Sequence, residues 1–268
     1  IEKYNHLLVL ETGKTIDLRK ARLIKLVLMN DGILLVKSKY NSSTRSNELY
    51  GQKLNFDLKP ESTPTLLTTS QASEFGDRGN FGMRISDNHK HLALLYTSQS
   101  DDGTFVLHHR LYSPQTFELL YSKDLLLPFL FEDFLIKDFV ISNSAKVSYW
   151  CKHRTPKRRS DPVIERRLFE IKDTTVTDYL LPDSLNITSS KLIYDRERDQ
   201  ATVVGFYGET EVYGNLGSFV YSNSTSGDKS LMLNKFSPSF VKNIRVNERT
   251  NGIVSHGFYI LRTLPVSD

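Results

Sequence analysis

The chain reads as an all-β protein, a β-propeller of about five four-stranded blades, and three observations predict it. Five segments each carry an apolar strand into a polar turn and out into a more hydrophobic strand: LVLMNDGILLV (26–36), MRISDNHKHLALLY (83–96), DFVISNSAKVSYW (138–150), LIYDRERDQATVVGFY (192–207) and NIRVNERTNGIVSHGFYIL (243–261). Their turn markers, Asn30, Asp87, Asn143, Asp195 and Asn247, are 57, 56, 52 and 52 residues apart, the kind of period that marks a repeat architecture. No stretch sustains a helical period long enough to compete.

Each unit divides into strands A to D. Strand A is the first arm of the repeated hairpin. Strand B holds the strongest β-formers, at 33–36, 92–96, 147–150, 202–207 and 258–261. Strand C follows a loop of variable length, at 48–56, 104–112, 166–171 and 217–221. Short turns rich in Pro, Ser, Thr, Asp and Gly lead to strand D, at 65–69, 118–125, 176–181 and 230–236. Hydrophobic and polar residues do not alternate cleanly over 105–112, as expected of a strand covered on both faces.

The two ends complete each other. HLLVLETGKTIDLRK (6–20) supplies a C strand, a Thr-Gly turn and a D strand, while the segment from Lys242 supplies A and B. Joined, they form a fifth blade shared by the termini, within a single domain over 1–268. The alternative is an arc of a larger propeller, which would leave an exposed edge strand. LLLPFLFEDFLI (125–136) is too short to span a bilayer and reads as two strands meeting at a buried corner. No transmembrane segment is expected, and a start at Ile1 suits a processed or trimmed chain.

Composition narrows the function classes. Hydrophobic residues at 39% and aromatics at 11% are ample for a packed core. A net charge of +4 is too mild for a dedicated nucleic-acid binder, so no nucleic-acid partner is expected. Cys151 is the only cysteine, which excludes an intrachain disulfide and a multi-cysteine zinc site.

Positive charge supplies the candidate binding residues. The run KHRTPKRRSDPVIERR (152–167), between strands B and C of one unit, reads as an extended surface loop. Its Arg154, Lys157, Arg158 and Arg159 suit an anionic partner, such as an acidic glycan or a lipid head group. The competing reading is a solvated loop balanced by Asp161 and Glu165. A basic residue also leads or lies within several A strands: Lys25, Arg84, Lys137, Lys191 and Lys242. In a propeller these would form a positive collar round the central channel, although lysine is common enough to fall there by chance.

No catalytic or metal-binding set is expected, and no cofactor. His89 and His91 would share one face of a strand, but no acidic or cysteine ligand recurs at metal spacing. His108 and His109 must point to opposite faces, so packing roles are expected for both. Trp150 and Cys151 end a B strand and read as buried. Among the A strands only Asp138 offers a carboxylate, short of the pair that glycosidases use. The nucleophile-elbow, phosphate-loop and zinc-protease motifs are absent.

Two stretches carry a family resemblance: FVLHHRLYSPQTFELLYSKDLLLPF (105–129), and ATVVGFYGE (201–209) followed by LGSFVYSNSTSGDKSLMLNKFS (216–237). Together they resemble the repeat in large propeller-like proteins of the Bacteroidota cell envelope. The resemblance implies export to the periplasm or cell surface, in association with the outer membrane, beside secretion or gliding machinery. The expected role is a non-enzymatic scaffold or protein-binding subunit whose partners are other envelope proteins. The alternative role is a propeller that binds or processes glycans.

Overall fold

The computed structural model describes residues 2–4, 10–13, 18, 21–72, 80–155, 163–173, 175–182, 185–209, 215–223 and 229–240. The fold is all-β and propeller-like, with four four-stranded antiparallel sheets that each run through their strands in chain order. Contacts divide the chain into two compact units, Ile1–Pro128 and Phe129–Asp268.

The first unit opens with a short hairpin of β1 (Glu2–Tyr4) and β2 (Leu10–Gly13). This corrects the expected Thr-Gly turn, because Thr12 and Gly13 lie within the strand and pair with Lys3 and Glu2. An apolar run shows that a segment is a strand but leaves its partner open. The first full sheet comprises β3 (Arg22–Met29), β4 (Gly32–Asn41), β5 (Ser46–Leu54) and β6 (Thr65–Gln71). The second comprises β7 (Gly82–Ile85), β8 (Leu92–Gln99), β9 (Thr104–Tyr112) and β10 (Leu119–Leu130), the last ending just past the unit boundary. Leu34 and Val36 of β4 meet Leu92 and Leu94 of β8 in one fully buried cluster, with Leu49 and Phe117. Burying a side chain of this size contributes about 1.5–3 kcal/mol, so the B strands carry the core.

The second unit repeats the design. Its first sheet comprises β11 (Phe134–Ile141), β12 (Val147–Thr155), β13 (Val163–Lys172) and β14 (Thr175–Leu180). Its second comprises β15 (Asn186–Asp195), β16 (Gln200–Gly208), β17 (Asn215–Asn223) and β18 (Lys229–Lys235). Trp150 and Leu168 from the first sheet pack with Ile187, Leu192, Val203, Phe219 and Tyr221 from the second. Strands A of the two sheets, β11 and β15, touch.

Four further expectations are corrected. The run 152–167 is not an extended loop, since Lys152–Thr155 continue β12 and Val163–Arg167 begin β13. The basic residues there belong to a hairpin that also buries Trp150, Cys151 and Leu168. The corner at 125–136 buries Leu127 and Phe134 but leaves Leu126, Leu130, Phe131 and Leu135 exposed. Along β10 alternate residues are exposed, as in a strand covered on one face only. His89 lies in a turn with positive φ and His91 outside any strand, so they share no strand face.

The fourth concerns β9, which does alternate. Phe105, Leu107, His109 and Leu111 are buried, and the residues between them are half-buried. His109 hides the pattern by taking an apolar position. The expected fifth blade drew on Lys242 and the segment to Leu261, which lies outside the described residues.

Candidate anion-binding cleft

Two β-bulges border a cleft of the second unit. In β11 the register slips between Ile136 and Asp138, leaving Lys137 as the extra residue. In β15 it slips between Ile187 and Ser189, leaving Thr188 extra. A bulge breaks the strict in-and-out alternation and re-aims the side chain it carries. Lys137 and Thr188 both line a cleft of about 310 Å³, together with Trp150, Lys152, Arg166, Ile187, Ser189 and Ser190.

The cations of the cleft come from three adjacent strands of one sheet. Lys152 of β12 and Arg166 of β13 are direct cross-strand partners, on the face that carries Trp150 and Leu168. The polar cleft is therefore the rim of the apolar core between the two sheets. Like charges placed directly opposite repel, and Lys137 adds a third from the β11 bulge. Among the described residues no carboxylate lines this space.

The opposite wall is made of hydroxyls on β15. Trp150 Nε1 donates to Ser190 Oγ at 2.8 Å, so the serine accepts from the core and keeps its own proton to donate. The Thr188 hydroxyl donates to the Phe206 carbonyl at 3.2 Å, which fixes the bulge. Gly205 of β16, opposite Ser190, permits this backbone path: a Cβ there would stand 2.4 Å from the Ser189 carbonyl oxygen and 2.5 Å from the Phe219 ring.

Residues that looked alike in sequence have different surroundings. Arg167, next to Arg166, points to the other sheet face and is held by Glu165 at 2.8 Å and Asp178 at 2.5 Å. It also lies 5.1 Å above the Phe129 ring. Burial raises the Glu165 carboxyl, but hydrogen bonds from His153 and Arg167 outweigh it and hold the group below its usual range.

Of the candidate binding residues, Lys137 lies in the cleft and Arg154 is exposed two residues beyond Lys152 on the same strand. Lys157, Arg158 and Arg159 lie outside the described residues. Lys191 of β15 pairs with Asp138 of β11 at 2.8 Å, one residue past the Lys137 bulge. Lys25 follows the corresponding bulge of β3, at Ile24. Arg84 sits in the regular ladder of β7 and donates to the Met83 carbonyl at 3.1 Å. These basic residues therefore occupy different register positions of their strands. Lys152, Arg166 and the 188–190 hydroxyls were missed as a set. Their signal was the pairing of 152 with 166, hidden because the run 152–167 reads as a loop although Arg166 also opens a C strand.

A second polar group lies in the first unit. Ser98 Oγ is 2.8 Å from His108 Nε2, and His108 Nδ1 is 2.9 Å from Asp124 Oδ1. The atom order is that of a serine–histidine–aspartate relay, but the Nδ1 contact is off the line of a hydrogen bond. Arg110 binds the same Asp124 oxygen at 2.6 Å, and His108 stacks on Tyr96 at 4.3 Å. Burial raises the Asp124 carboxyl, yet Arg110 and His108 together hold it below its usual range. This arrangement serves as a charge-pinned brace across β8, β9 and β10.

No family model matches the sequence, and no curated protein matches it. Among solved structures it is similar to the acylaminoacyl peptidase of Pyrococcus horikoshii, with 12% identity and a TM-score of 0.47 over 81% of this chain and 33% of that one. It is also similar to the polysaccharide lyase Uly1, with 10% identity and a TM-score of 0.48 over 81% of this chain and 50% of that one. The chain thus spans a third to a half of these proteins.

Proposed function

We propose that the protein is a non-catalytic binding module, a scaffold subunit of a bacterial envelope assembly that grips an anionic group of its partner in the cleft of the second unit. One observation carries the binding role: Lys137, Lys152 and Arg166 line one space with Thr188, Ser189 and Ser190. Such a lining supplies charge and hydrogen-bond donors, which favour holding an anion over cleaving a bond. The envelope setting, at the periplasm or outer-membrane surface, draws only on the resemblance carried by residues 105–129 and 201–237.

A polyanion column with a salt gradient tests the binding role. Relative to a variant carrying Lys137→Gln, Lys152→Gln and Arg166→Gln, the native chain is expected to elute at higher salt. A small anionic ligand incubated with it should be recovered intact. Co-elution of the two proteins would sink the cleft as the site, and conversion of the ligand would sink the non-catalytic role.

A further inference from the structure

We infer that the turn joining β10 to β11 is a contact surface for a second copy of this chain, paired about a two-fold axis. Three large apolar side chains stand out from it over 130–135: Leu130 at 49% exposure, Phe131 at 36% and Leu135 at 49%. Apolar residues exposed singly are ordinary, whereas a cluster of them marks a surface that is covered in use. All three belong to the second unit.

The turn is held rather than loose. Asp133 N donates to the Leu130 carbonyl at 3.1 Å, which closes it, and Arg154 N of β12 donates to the Asp133 carbonyl at 2.8 Å. Phe134, only 4% exposed, anchors its base. Its ring stacks on Phe129 with centroids 4.6 Å apart and meets Phe169 edge-on at 5.9 Å. A surface already fixed in this way loses little conformational freedom when it is covered.

Charge selects the occupant. Glu132 and Asp133 form the tip, and Arg154 lies across the ladder from Asp133. Lys152, the partner of Leu135, extends the basic side. Among the described residues the side chains of Glu132, Asp133 and Arg154 enter no ion pair. An anionic lipid surface would repel the acidic tip. A two-fold copy instead sets the tip of each chain against the Arg154 of the other, with Leu130, Phe131 and Leu135 between them and every contact made twice. A handful of side chains per copy is well below the roughly 20–30 residues of a standard interface. The dimer is therefore weak, with a dissociation constant in the micromolar range or above.

Sedimentation equilibrium of the full chain, over a concentration series reaching the millimolar range, tests this. The native chain should pass from one mass to twice that mass. Glu132→Arg and Arg154→Glu should each raise the dissociation constant about tenfold. The double variant should recover most of that loss, because both contacts re-form with their signs exchanged. Leu135→Ser should weaken association by a similar factor. Glu132 and Arg154 are exposed, so thermal melts should find the charge variants as stable as the native chain. A chain that stays monomeric throughout would overturn the inference. So would a dimer indifferent to these changes, or a double variant as weak as either single one. None of the altered residues lines the cleft, so these outcomes are independent of what the cleft binds.

Discussion

His109 shows how one side chain can both disguise a strand and set a pH limit. It stands in the buried row of β9 with Phe105, Leu107 and Leu111, only 2% exposed, and its ring packs against Tyr121. Burial, with a smaller push from the neighbouring Arg110, lowers its pKa from 6.5 to about 4. Above pH 6.5 it is neutral whether the chain is folded or not, and its full contribution to stability is present. Between 6.5 and 4 the unfolded chain takes up the proton first, so stability is lost on acidification, on the order of 3 kcal/mol in all. Thermal melts from pH 7 to 4.5 should show this decline, and His109→Phe should flatten it. An unchanged slope in the variant would assign the decline to other groups. The carboxylates held low by ion pairs, Asp124 and Glu165, add their own loss as the pH falls through the ordinary carboxylate range and below it.

Elements were more legible than the site they build. Strand C of the second sheet, read as 104–112, is the observed β9, because β-branched and aromatic residues there run straight between two turns. The hairpin of β12 and β13 was cut short because seven basic residues between 152 and 167 outweighed its β-formers as a loop signal. Long Lys and Arg stems can cover apolar surface while their heads stay wet, so charge marks a strand's exposed row as readily as a loop. The bulges at Lys137 and Thr188 were invisible for another reason: they depend on pairing partners, which a single strand does not record. Gly205 is the test of this local architecture. Gly205→Ala should cost about 1–3 kcal/mol through forced displacement of β15 or the Phe219 ring. It should weaken anion binding as well, because Ser189 is the backbone displaced. A denaturant melt paired with the polyanion column separates these effects; an Ala variant as stable as the native chain would rule out the tight contact.

At the scale of the molecule, each unit carries a buried cluster made entirely of its own residues. Repeat proteins gain stability as a sum of local terms, so a lesion in one unit is expected to stay there. Leu94→Ala, at a fully buried position of the first unit, should destabilise that unit by about 2–5 kcal/mol. The chain's only thiol reports on the other unit. Cys151 is 1% exposed on β12, and burial pushes its pKa well up. Its labelling by a thiol reagent should be slow in the native chain and no faster in Leu94→Ala. Acceleration in proportion to the lost stability would mean that the two units open as one. The fourfold repetition of sheets has a further consequence in the bulges, which recur within the first four residues of β3, β11 and β15. Three of the four sheets thus repeat one backbone irregularity at the same end of their first strand, while the ladder of β7 is regular. In β3 the bulge residue is Ile24, which packs against the core of its own unit, so one backbone irregularity serves packing in the first sheet and brings a lysine to the cleft in the third.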